Sequence, residues 1–94
     1  MKIRNIILLP QYEEKIAPKH NVTKDEIESL FANRRKDFFW EYGDRTGEDF
    51  YSSLSRSSDG RYIAVFFILK LNGDALIISA RDMDDKERKR YGKK

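Results

Sequence analysis

Apolar and polar residues alternate in different rhythms along the chain, and each change of rhythm marks an element. Lys2 to Leu9 is rich in β-branched residues and stops at Pro10, which predicts a short strand. Gln11 to Ile16 favours helix, and Pro18 is expected to disturb any helix running straight on into His20. Thr23-Lys24-Asp25-Glu26 reads as a capping box, with Val22 and Ile27 placed to form a hydrophobic staple. Ile27, Leu30 and Phe31 share one face, so an amphipathic helix is expected from about residue 24 to 33.

The period then becomes that of strands. Lys36 to Tyr42 has strand composition, and Gly43-Asp44-Arg45-Thr46-Gly47 reads as a loop. Phe50 and Leu54 alternate with polar positions from about Asp49 to Arg56, and Ser57-Ser58-Asp59-Gly60 is a tight turn. Tyr62 to Leu69 is apolar throughout, as in a strand covered on both faces or placed at the centre of a sheet. Asn72-Gly73 is a hairpin signal, and Ala75 to Ala80 is a returning strand. Short turns force neighbouring strands antiparallel, so residues 36 to 80 are expected to form a four-stranded meander. Asp84 can cap a final short helix whose Glu87 completes a second box, with Met83 and Tyr91 packing it. The fold class is therefore α+β, a single domain over 1–94 with helices before a small antiparallel sheet and one short helix after it.

Composition narrows the chemistry. Cysteine is absent and His20 is the only histidine, which argues against disulfides, thiolate catalysis and the common zinc sites, so no cofactor or metal is expected. The apolar run Ile6 to Leu9 is too short for a signal-peptide core or a membrane span, and the cytoplasm is the default expectation, with no membrane partner. The net charge of +3 is uneven: Lys86 to Lys94 holds six basic residues and one acid, so the other residues together carry a slight excess of acids. Such a tail can attract a polyanion or simply solubilise a helix end.

Three segments carry a resemblance. Lys19-His20-Asn21-Val22-Thr23 with the helix that follows resembles the KHGV segment of BrnT-like toxins, and Arg56-Ser57-Ser58-Asp59-Gly60-Arg61-Tyr62 resembles their G-R-S-x-x-G-R turn. Ile77-Ile78-Ser79-Ala80-Arg81-Asp82-Met83 and Glu87-Arg88-Lys89-Arg90-Tyr91 look like their closing I-I-S-A-R and E-R-x-x-Y signature. The match runs in order over roughly residues 12 to 91, and the closing signature is its specific part. The resemblance implies a RelE-like ribonuclease fold and an RNA endoribonuclease toxin of a type II toxin–antitoxin pair. It also implies a BrnA-like, DNA-binding antitoxin as partner.

Metal-independent RNA cleavage needs a base for the 2′-hydroxyl, cations for the phosphorane and an acid for the leaving oxygen. His20 is the one side chain with an ordinary pKa near neutrality and is the candidate acid or base; the alternative is a surface histidine in a turn. Arg61 and Arg81 lie about equally far from Asn72-Gly73, so a hairpin would bring them together as a phosphate clamp. Pairing with local acids such as Asp59 or Asp82 is the alternative. Lys19 and Arg88 are candidate RNA contacts. Glu87 and Tyr91, on one helix face, either meet RNA or cap and anchor the helix. Trp40 and Tyr51 are candidates for base stacking, within an aromatic cluster of which half is expected to be core. A non-catalytic relative that binds RNA or an antitoxin-like partner is the competing reading of the whole chain.

Overall fold

The computed structural model describes residues 3–33, 36–43 and 48–92. Most of the expected Gly43 to Gly47 loop and the last two lysines lie outside those residues, as do the side chains of His20 and Trp40.

Among the described residues eight elements follow one another: β1 (Asn5–Ile7), α1 (Pro10–His20), α2 (Lys24–Ala32), β2 (Lys36–Gly43), β3 (Glu48–Arg56), β4 (Tyr62–Lys70), β5 (Asp74–Asp82) and α3 (Asp85–Gly92). The α+β class holds, and β2 to β5 do form an antiparallel meander. Among the described residues the sheet is nevertheless five-stranded and mixed, in the order β1-β5-β4-β3-β2, because β1 adds to β5 in parallel. Asn5 fixes that edge through an Nδ2 bond of 2.9 Å to the Asp74 carboxylate, and the Arg4 amide donates to the Gly73 carbonyl at 2.8 Å. Gly73 is required there: its φ is +93°, and a Cβ would sit 2.8 Å from Arg4 Cγ.

The helices follow local chemistry. Pro10 stands in the first turn of α1, where its missing N–H costs nothing, and the extended Leu9 precedes it. Pro18 does not end this helix; α1 continues to His20, because a proline in the last turn removes only one bond and buried Ile16 holds the helix on the sheet. Asn21 stops it, with φ 55° and its amide bonded to the Ala17 carbonyl, a left-handed conformation that asparagine tolerates. The α2 box is complete: the Glu26 amide donates to Thr23 Oγ1 at 3.1 Å and the Thr23 amide to Glu26 Oε1 at 3.2 Å. The α3 box is as expected too, with Glu87 and Asp84 exchanging bonds of 2.9 Å.

The central strand β4 serves two cores, which is why it is apolar throughout. Ile63, Val65 and Phe67 face α1 and α2 and meet Ile16, Val22, Ile27, Leu30 and Phe31. Phe67 takes Phe31 and Phe38 edge-on, with centroids at 5.4 and 5.9 Å, and stacks on Tyr51 at 5.8 Å. On the other side Ala64 joins Leu54, Met83 and Tyr91, flanked by Phe39, Tyr62 and Phe66. This second core is smaller because α3 has only eight residues. The Tyr51 ring therefore belongs to the helix-side core, not to a stacking surface.

Candidate functional site

The three segments that carry the sequence resemblance meet at one end of the sheet. Arg61, just before β4, donates from Nη1 to the carbonyl of Asn21 at 2.7 Å, which ties the Lys19-His20-Asn21 turn to the sheet. Its Nη2 reaches Asp82 Oδ1 at 3.0 Å, and Glu26 Oε2 lies 3.8 Å from Nη1. The Met83 amide donates to the Tyr62 carbonyl at 2.9 Å, extending the β4–β5 ladder to the start of α3. Lys19 is exposed in the last turn of α1 and lines a cleft of about 640 Å³ with Pro18, Ile78 and Ser79.

The expected clamp of Arg61 and Arg81 does not form, because the sheet separates them. Strict alternation from buried Ile77 would place Arg81 on the α1/α2 side, beside Arg61. Between Ile77, opposite Phe67, and Ser79, opposite Phe66, β5 carries one extra residue, Ile78. That bulge shifts the phase: Ala80 turns into the helix-side core, and Arg81 turns to the α3 side over the Phe66 ring at 4.9 Å. There its guanidinium grips Glu87 with two bonds of 2.7 and 3.0 Å. The Glu87 carboxylate holds Arg81 protonated even above the ordinary arginine range, more than burial opposes it. Asp82 links the faces, its carboxylate accepting from Arg61 and its carbonyl from Arg81 at 3.0 Å.

Two other sequence-selected residues take structural roles. Glu87 both caps α3 and pairs with Arg81, and Tyr91 is 4% exposed with its ring edge-on to Tyr62 at 6.0 Å. Capping and anchoring, rather than RNA contact, is what their geometry provides. Arg88 is exposed and lies over the Tyr62 ring at 4.2 Å.

Sequence reasoning missed two companions of Arg88. Arg56 approaches the same Tyr62 ring at 5.1 Å, and Arg90 covers Phe39 at 3.6 Å. Arg56 was recoverable, since the alternation that buries Leu54 puts Arg56 on the same face, and it is Tyr62's cross-strand partner. A cleft of about 460 Å³ opens beside them, lined by Arg56, Ser57, Ser58, Tyr62 and Tyr91 among others. In the adjoining turn the Ser57 hydroxyl donates to Asp59, and that bond holds the Asp59 carboxyl below the usual aspartate value.

Compared with known proteins, the chain matches no protein-family model, and no curated protein matches it significantly. Among the described residues no helix is long and apolar enough to cross a membrane.

Proposed function

We propose that the chain is an RNA endoribonuclease toxin of a type II toxin–antitoxin pair, working in the cytoplasm and held in check by a DNA-binding antitoxin. The observation that carries this reading is the convergence at one sheet end of the Lys19-His20-Asn21 turn, Arg61 and the segment Arg81 to Tyr91, distant in sequence and joined through Arg61 and Asp82. In the proposed chemistry the substrate's 2′-oxygen attacks the adjacent phosphorus as His20 removes its proton. The 5′-oxygen leaves with a proton taken from solvent, giving a 2′,3′-cyclic phosphate and a 5′-hydroxyl end, and His20 returns its proton to solvent. Arg61, exchanging its carboxylate partners for the phosphate, compensates the extra charge, and Lys19 adds a further cation for the strand. Arg81, across the sheet and engaged by Glu87, has no part in that step.

Purified protein should cleave RNA to cyclic-phosphate ends in the presence of a chelator, and His20→Ala and Arg61→Ala should each lower the rate by about 100-fold or more. A His20→Ala protein that cleaves at the parental rate would remove histidine from the mechanism. One observation favours the competing reading, a non-catalytic RNA-binding relative: both Arg61 and Arg81 are paired with carboxylates. On that reading RNA is bound with a steep salt dependence and recovered intact.

A further inference from the structure

Arg56, Arg88 and Arg90 are all exposed, all on the α3 side of the sheet, and each lies over an aromatic ring. Among the described residues none of them has a carboxylate partner, whereas Arg61 and Arg81 both do. Ring contact fixes a guanidinium plane without cancelling its charge; Arg56 also donates from Nε to the Gly60 carbonyl at 3.4 Å, which leaves its two terminal nitrogens and outer face for a ligand. Phosphate oxygens match the N–H fork, and a nucleobase matches the outer face. The neighbouring cleft adds the hydroxyl-bearing side chains of Ser57, Ser58 and Tyr62.

We propose that this surface is a binding track for a single-stranded nucleic acid, distinct from the Arg61 end of the helix side. Arg56 and Arg88, sharing Tyr62, grip the backbone beside the cleft, and Arg90 on Phe39 extends the track toward the β2 edge. An acidic protein segment would use the charge but not the flat guanidinium surfaces, so nucleic acid fits better. The choice of RNA as the strand rests on the function proposed above; the track itself does not.

The test is fluorescence anisotropy with a labelled RNA of about twelve nucleotides, 2′-O-methylated so that it cannot be cleaved, titrated at several salt concentrations. Arg56→Ala, Arg88→Ala and Arg90→Ala should each weaken binding several-fold and reduce the log–log salt slope by about 0.7, and the triple variant by about 2. A triple lysine variant should recover the slope but not the full affinity, since lysine supplies charge without the plane. Parental affinity and slope in the triple alanine variant, with a native circular dichroism spectrum, would overturn the proposal, and the single variants decide if the triple does not fold. Equal competition by a polyglutamate peptide would overturn it in favour of an acidic protein partner. Protein that binds through these arginines without cleaving unmodified RNA keeps the track and loses the nuclease. Cleavage with unchanged affinity in the triple variant does the reverse.

Discussion

On the helix side of the sheet, Arg61 sits among oxygens of Asn21, Glu26 and Asp82; on the α3 side, Arg56, Arg88 and Arg90 rest on rings. The first environment consumes the charge to join α1, α2 and β5. The second holds the charge in place and leaves it facing outward. Arg81 lies between these cases, ring-supported by Phe66 yet bound by Glu87. Arginines of one small protein thus divide between holding the fold and presenting charge, according to whether an acid or an aromatic ring is the neighbour.

The sharpest way to break the comparison is to put an arginine with no acid on the buried helix side. Ala80→Arg places a guanidinium where Ala80, fully buried opposite Val65, fills the helix-side core. Chemical denaturation should then show a loss of about 3–5 kcal/mol or no cooperative folding, from the uncompensated buried charge. A variant of parental stability would mean that the phase set by the bulge does not commit position 80 to the core.

Core truncations should rank the two sides. Phe67→Ala removes the ring that organises Phe31, Phe38 and Tyr51 and should cost about 3–5 kcal/mol in the same measurement. Tyr91→Ala, which frees only α3, should cost about 1.5–3 kcal/mol. The reverse order would make the smaller core the stronger one.

Glu87→Gln sharpens the comparison by moving Arg81 toward the other class. Its stability cost should be about 1 kcal/mol, since Arg81 is one-third exposed and solvent screens the pair. RNA affinity should rise, with the salt slope steeper by about 0.7 as another cation becomes available. An unchanged slope would show that Arg81 is not within reach of the strand.

The smallest effect concerns pH. Asp59 titrates below its ordinary value of 3.8 because the Ser57 hydroxyl favours the carboxylate. Its contribution to stability is therefore fully present above that value and is lost as the pH falls through the lower, folded one. Ser57→Ala should return the Asp59 titration toward 3.8 in a carboxyl-detected NMR experiment, and no movement would assign the shift elsewhere.

Elements held by neighbouring residues were legible in the sequence. Both capping boxes and the Asn72-Gly73 turn depend on partners a few positions apart. The polar positions of β3 were not legible as core, since Ser52, Ser53 and Ser55 are buried with Leu54 in a strand covered on both faces. The addition of β1 to β5 was not legible, because Asn5 and Asp74 are 69 positions apart and no short-range pattern encodes that pairing. Nor was the bulge, since Ile78 carries no glycine or proline to mark it and every residue after it is read one face out. The consequence fell on the site: Arg61 and Arg81 were located at the right end of the sheet but on one side instead of two. The rings under Arg56 and Arg90 needed the fold, because guanidinium and ring come from different elements.

The parallel edge also imposes an order of assembly. While the chain is being synthesised, Asn5 to Ile7 emerge before the other strands of the sheet but find their partner only after Asp74 to Leu76 have been made, and no hairpin can place them sooner. The β2 to β5 meander can grow by successive local turns, whereas its last edge waits for the closing of a loop that contains most of the domain. Until then the outer edge of β5 is an open ladder, available to β1 or to any other strand that reaches it first.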